Sequence, residues 1–400
     1  MKAGWQTKPL GEICKTGSGG TPLKSKKEYY ENGTIPWLMS GEVSQGEVHV
    51  ATRFITPKGL ENSSARIFPV DTVLVAMYGA TAGQVGILKF EASTNQAVCG
   101  ILPNEHFTPE FLYYLFLSKK DELISQATGN AQPNISQIKI KNTQVPVLKL
   151  TEQQRIVAIL DQAFDGIAKA RANAEQNLKN ARALFESHLQ SVFTERGDGW
   201  TEKPLEQVST VISGYSFKSA DFSSSHQIKT IKITNVGVKE FVTDFDNLLP
   251  SGFKSKYEAF SVKKGSIVIA LTRTIIQSGL KVAVVPSTYN GALLNQRVAA
   301  IVADHNYVIE SYVYLYLSTK QVEQYVKNNV NTLMQPNLSI NDLKALPIPL
   351  PTIFEQKKLV ETLEALSKET KRLETLYQRK ITLLDELKKS LLQQAFAGEL

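Results

Sequence analysis

A chain of 400 residues with 42% apolar content is long enough for two or three domains, each able to bury its own core. Its apolar runs, such as 73–77 and 267–271, fall far short of a membrane span, and the opening MKAGWQTKPL has no apolar stretch, which argues against membrane insertion or export and for the cytoplasm. Cys14 and Cys99 are isolated, which argues against a disulfide framework or a zinc site, and the net charge of +7 leans mildly towards an acidic partner.

Taken in order, the chain reads twice. GWQTKPL at 4–10 is followed by short Val/Ile-rich strands including VLVAMYG at 73–79, by STNQAV at 93–98, and by a helix predicted over 109–126 that contains YLFLSKK. A polar loop with QPNIS at 132–136 and a proline-bounded strand at 143–148 then lead into a helix predicted over 152–193. The second half repeats each step: GWTEKPL at 199–205, IVIALTR at 267–273, LLNQRV at 293–298, a helix over 309–328 with YLYLSTK, QPNLS at 335–339, a strand at 345–351 and a helix over 355–396. The offset drifts from 194 to 203 residues, as it must when two copies of one fold differ in loop length.

The two long segments lack proline and carry a narrow apolar seam. In the second the seam runs from Leu359 and Leu363 through Tyr377, Lys380 and Leu384 to Leu387 and Leu391. The first has Ile156 and Leu160, then Ala174, Asn177 and Ala181, at equivalent steps, so each helix is the other's best partner. Thr151 with Gln154 and Thr352 with Glu355 fit capping boxes at their starts. Because the order is globular, helix, globular, helix, pairing must be antiparallel. The expected architecture is α+β: two similar globular α/β domains, 1–150 and 197–354, separated by an antiparallel coiled-coil pair of long helices, 151–196 and 355–400, in a pseudo-twofold arrangement.

No catalytic constellation stands out. The five histidines are not paired at metal-ligand spacing, Gly17-Ser18-Gly19-Gly20 lacks the lysine of a phosphate loop and reads as a turn, and the cysteines read as small core residues. The chain is expected to be a non-catalytic subunit with no cofactor of its own. Charge instead collects in the globular parts, with 15 basic against 12 acidic side chains in 1–150 and 15 against 11 in 200–354.

The candidate DNA-binding residues lie in polar loops. Lys24, Ser25, Lys26, Lys27, Tyr29 and Tyr30 share one turn-rich stretch expected to be exposed, and Tyr78, Thr81 and Gln84 follow the 73–79 strand. The second copy offers Tyr215, Phe217 and Lys218, then Thr272, Arg273, Thr274, Gln277 and Lys281. Gln and Arg can make bidentate contacts to base edges, while Lys, Ser, Thr and Tyr hold phosphates. Asn95-Gln96 and Asn295-Gln296, present in both copies, read as fold maintenance.

GGTPLKSKKEYYENGTIPWL at 19–38, with TEQQRIVAIL after one proline-bounded strand and PTIFEQKKLVETL after the other, resembles the specificity subunit of a type I restriction-modification enzyme along the whole chain. That resemblance implies two target recognition domains, each reading half of a split asymmetric DNA site. It also implies long helices that fix the spacer and dock two adenine methyltransferase subunits, with restriction subunits joining that core. Adenosylmethionine, Mg and ATP would then belong to the partner chains. A type IIB-like specificity protein shares this plan, and a coiled-coil scaffold that binds no DNA is the other alternative.

Overall fold

The computed structural model describes residues 5–126, 134–329 and 337–400; the Gln-Pro of both Gln-Pro-Asn motifs and Gly4 of the opening motif lie outside them. The chain forms two units, Met1–Glu175 with Gln378–Leu400 and Gln176–Tyr377.

In unit 1 a five-stranded sheet has the order Thr16–Ser18, Val98–Ile101, Val73–Ala76, Val85–Leu88, Glu47–Val48. A four-stranded sheet has the order Phe54–Ile55, Ile35–Leu38, Ala92–Thr94, Ile67–Phe68, and Gln6–Pro9 pairs antiparallel with Gln144–Val147. Unit 2 repeats the plan. Its sheets run Ser209–Ser213, Val298–Ala303, Ile267–Ala270, Val282–Val284 and Leu248–Leu249, Ile228–Ile231, Ala292–Leu294, Ser261–Val262, and Thr201–Pro204 pairs with Pro347–Leu350.

The central strands are apolar at every position because both faces are covered. Val73 and Val75 point into a core with Phe111, Leu115 and Phe116 of the helix Pro109–Ser118, whereas Leu74 and Ala76 face a second core with Leu38 and Phe68 of the smaller sheet. In unit 2, Ile267 and Ile269 pack with Tyr312 and Tyr316, and Val268 and Ala270 pack with Tyr289 and Leu294.

The single helices expected over 109–126 and 309–328 are each broken in two, into Pro109–Ser118 and Lys120–Ser125, and into Glu310–Leu317 and Lys320–Asn329. A hydroxyl side chain bonds the backbone at each joint. Ser118 Oγ donates to Leu115 O at 2.6 Å, and Thr319 Oγ1 donates to Tyr316 O at 2.7 Å while accepting from Val322 N at 3.3 Å, which caps the next helix.

The long helices span Leu150–Thr194 and Ile353–Ala397, 45 residues each, or about 68 Å at 1.5 Å per residue. Both cross the boundary between the units, so each unit holds the start of one and the end of the other. In unit 1, Ile156 and Leu160 share a core with Leu392 and Ala395, Lys388 Nζ sits 4.8 Å from the Phe164 ring centre, and Arg171 pairs with Asp385. In unit 2, Leu189 and Phe193 share a core with Val360 and Leu363, and Arg182 Nε donates to Glu374 Oε2 at 3.2 Å. Partner numbers fall as helix numbers rise, so within each unit the pairing is antiparallel.

The seam departs from a strict seven-residue repeat. Asn177 is exposed and Leu178 is buried in its place; Lys380 and Leu387 are exposed and Ile381 is buried. A helix of 3.6 residues per turn drifts off a 3.5-residue stripe, and these helices follow the drift. The expected box of Thr352 and Glu355 is present, with Glu355 N donating to Thr352 Oγ1 at 3.3 Å and Thr352 N to Glu355 Oε2 at 2.9 Å. The box expected at Thr151 and Gln154 does not form, because the first helix begins at Leu150 and its cap position falls on Lys149.

Candidate nucleic-acid interface

One framework recurs at the same end of the larger sheet in both units. In unit 1, Met77 N donates to Ala97 O at 2.7 Å, Ile135 N to Met77 O at 2.8 Å and Gly19 N to Val98 O at 3.1 Å. In unit 2, Leu271 N donates to Arg297 O at 2.9 Å, Leu338 N to Leu271 O at 2.9 Å and Gly214 N to Val298 O at 3.2 Å. Isolated bridges join Tyr78 to Asn134 and Thr272 to Asn337, which is the work of the Asn in each Gln-Pro-Asn motif.

The glycines between strand and loop are there for close approach. A Cβ on Gly19 would lie 2.3 Å from Thr94 O, and one on Gly214 would lie 2.1 Å from Asn295 O. The stretch 17–20 is therefore not a turn as read from sequence, but an edge strand running into a tight backbone crossing.

In unit 1, Lys24, Ser25, Lys26 and Lys27 are exposed as expected, Lys26 with its Nζ 5.7 Å from the Tyr29 ring centre. Tyr29 is not exposed: it is 6% accessible, and its carbonyl accepts from Thr56 N at 2.9 Å. Tyr30 is half-buried, stacks edge-on against Trp37 at 5.9 Å, and has its phenol pushed above the usual range by burial. Trp37 ties this loop to the framework by donating from Nε1 to Gly20 O at 2.9 Å. Tyr78 is exposed, and Thr81 and half-buried Gln84 share its turn, with Thr81 Oγ1 donating to Tyr78 O at 3.3 Å and Gln84 N to Thr81 O at 3.0 Å.

Unit 2 presents different chemistry on the same frame. Tyr215 is exposed at the rim of an aromatic group, 4.6 Å from Tyr257, 5.1 Å from Phe217 and 5.2 Å from Phe260, and the Tyr257 hydroxyl raises its phenol pKa. Phe217 is 7% accessible and packs inside that group with Phe222 and Phe253. Lys218 is exposed, and its backbone N–H is taken by Asp221 Oδ2 at 2.9 Å. Thr272 is half-buried, Arg273 exposed and Thr274 fully buried, while Gln277 stands exposed between the hairpin strands Ile275–Ile276 and Gly279–Leu280. Lys281 is turned inward, donating to Ile233 O at 2.8 Å; burial first and Arg273 second hold its pKa below the usual lysine range.

Three more residues on this end are exposed: Gln96 and Gln296, which the sequence reads as fold maintenance, and Arg297, which it does not single out. Asn95 does act structurally, buried with its Oδ1 accepting from Ala97 N at 3.2 Å. Its neighbour Gln96 instead reaches the loop, where Thr21 Oγ1 donates to it. The signal was on the page in STNQAV against LLNQRV, where only the third residue of the Asn-Gln-X triplet changes character.

Among the described residues no group of three His, Cys, Asp or Glu side chains gathers as a metal site, and no helix is long and apolar enough to cross a membrane. Burial pushes the Cys14 thiol up to about 11 and that of Cys99 up to about 12, and Asn104 partly offsets it at Cys14.

The model of the type I restriction modification DNA specificity domain matches residues 2–178 and again 197–383. The MjaVIII specificity subunit of Methanocaldococcus jannaschii is 25% identical, over 90% of this chain and 86% of its own length. The EcoR124I/EcoR124II specificity subunit of Escherichia coli is 31% identical, over 42% of each chain. In fold, the chain is similar to one in a structure of type I R-M complex assembly, with a TM-score of 0.78 at 19% identity over 100% of this chain and 99% of that one. It is also similar to the HsdS subunit from Thermoanaerobacter tengcongensis, with a TM-score of 0.67 at 18% identity over 100% and 98%. With two copies of that domain filling most of its length on a duplicated framework, the chain belongs to the family of type I restriction-modification specificity subunits, which confer DNA sequence recognition.

Proposed function

We propose that each unit of this specificity subunit reads one half of a bipartite, asymmetric DNA site. The long helices set the gap between the halves and dock two adenine methyltransferase subunits. The chain is a non-catalytic, cytoplasmic subunit, and adenosylmethionine, Mg and ATP belong to the methyltransferase and restriction subunits.

One observation carries this reading. The same backbone framework is built twice, yet the side chains mounted on it differ: Tyr78, Thr81, Gln84 and the lysines at 24, 26 and 27 in unit 1, Tyr215, Lys218, Thr272, Arg273 and Gln277 in unit 2. Identical frames with unlike polar contacts suit two readers of unlike sequences, since base edges are distinguished by the donor and acceptor pattern facing them. Tyr29, Phe217, Thr274 and Lys281 sit in this region as support for the loops. The test is an exchange of residues 200–354 for the equivalent segment of another family member, followed by mapping of methylated adenines. One half-site changes and the other persists; alteration of both halves together would contradict separate reading.

A further inference from the structure

We propose that Arg273 and Arg297 are the specificity-determining pair of unit 2, that they read guanine in the major groove, and that their replacement by Gly79 and Ala97 in unit 1 is what makes the two half-sites chemically unlike. The inference rests on the reading that each unit recognises one half-site.

The equivalence of the positions is structural. Ala97 and Arg297 each offer the carbonyl that accepts from the residue ending the central strand, Met77 in one unit and Leu271 in the other. Two residues further on come Gly79 and Arg273, each one step past the bridge to the Asn of its Gln-Pro-Asn motif. Both have left-handed backbone, with φ of +72° at Gly79 and +50° at Arg273.

That conformation suits glycine and is uncommon for a residue with a Cβ. Nothing lies within 4 Å of a Cβ built on Gly79, so space does not decide the choice. Unit 2 therefore carries an arginine where its own backbone favours glycine, and strained non-glycine residues of this kind gather at functional sites. Arg273 and Arg297 are both exposed, and neither forms an ion pair among the described residues. Lys281, the nearby cation, is already committed to Ile233 O and does not compete for the same contacts. A guanidinium presents a rigid fork of donors that matches guanine O6 and N7, whereas a lysine at such a site acts as a point charge on phosphate. At these two framework positions unit 1 carries Gly79 and Ala97 instead; its exposed Arg53 and Arg66 lie elsewhere, Arg66 against Gly17 of the edge strand, and its loop at 24–27 offers lysines, the second kind of cation.

The test compares the wild-type chain with Arg273→Gly and Arg297→Ala, each assembled with its methyltransferase subunits, on a duplex library randomised across the site. Both substitutions install the residue that unit 1 already carries on the same frame, so folding is preserved, and Arg273→Gly also relieves the backbone. The expected result is loss of a guanine preference in one half-site only, about tenfold to a hundredfold per position, as a bidentate contact is worth, with the other half unchanged. Retention of the guanine preference by both variants would overturn the proposal. So would a weakening spread evenly over all sequences with a shallower salt dependence, the signature of a phosphate contact. A wild-type selection that yields no two-part site would overturn the underlying reading and the assignment with it, a failure visible before any variant is made.

Discussion

Gln153 and Gln356 occupy one place in two copies and solve one problem there. Gln153 accepts from Thr108 N at 3.0 Å and donates to the carbonyls of His106 at 2.7 Å and Leu148 at 3.0 Å; Gln356 accepts from Ile309 N at 3.1 Å and donates to Tyr307 O at 2.8 Å and Pro351 O at 3.1 Å. Both side chains are fully buried, so each amide stitches the long helix to the loop before the first domain helix at a point where water cannot substitute. Gln356→Ala is expected to cost on the order of 2–3 kcal/mol, since it strands a buried donor and two acceptors. Gln356→Glu should cost more at neutral pH, because a carboxylate would face two carbonyl oxygens. Urea titration of both variants checks this; equal stability of wild type and Gln356→Glu would remove the stitch from the account. The repeated Glu-Gln was legible in sequence, but its purpose was not, because two of the three groups each Gln satisfies lie 45 and 47 residues away in one copy and 47 and 49 in the other.

Helix existence was legible and helix phase was not. The long elements begin and end within a few residues of where periodicity puts them, because 45 residues without proline and with apolar steps of three and four have little other choice. A fixed seven-residue repeat, however, assigned Asn177 and Lys380 to the seam, and the structure buries Leu178 and Ile381 instead. Leu178→Ala should therefore destabilise by about 2–3 kcal/mol, while Asn177→Ala should change stability by no more than about 0.5 kcal/mol. Thermal melts of the two variants decide between the observed phase and the strict repeat, which requires the reverse order. The broken helices at Lys119 and Thr319 were missed for a related reason: apolar spacing runs on through both joints, and the interruption lies in the hydrogen bonding there, such as Thr319 N and Oγ1 both donating to Tyr316 O.

At the scale of the molecule, duplication was the most legible feature, since it survives as motif pairs at a drifting offset and returns as matching strand orders in both units. The candidate site was legible in outline only. Sequence located the loops, yet exposure divides them: Lys24 and Arg273 face solvent, whereas Tyr29 is buried beside Thr56 and Gly59, and Thr274 is buried with its carbonyl taken by Lys281 N. Arg297 was passed over because its neighbours Asn295 and Gln296 recur in both copies and so read as framework.

The boundary between the units falls inside both long helices, after Glu175 in one and after Tyr377 in the other. An insertion of four residues at each of these two points leaves every contact within a unit in place. Four residues are close to one full helical turn and add about 6 Å, or roughly two base pairs of B-DNA at about 3.4 Å each. The decisive measurement is the genome-wide map of methylated adenines in cells carrying the methyltransferase with either the wild-type or the twice-extended chain. Two unchanged half-sites separated by a gap about two base pairs longer is the predicted result; an unchanged gap, or a change in either half-site, would contradict it.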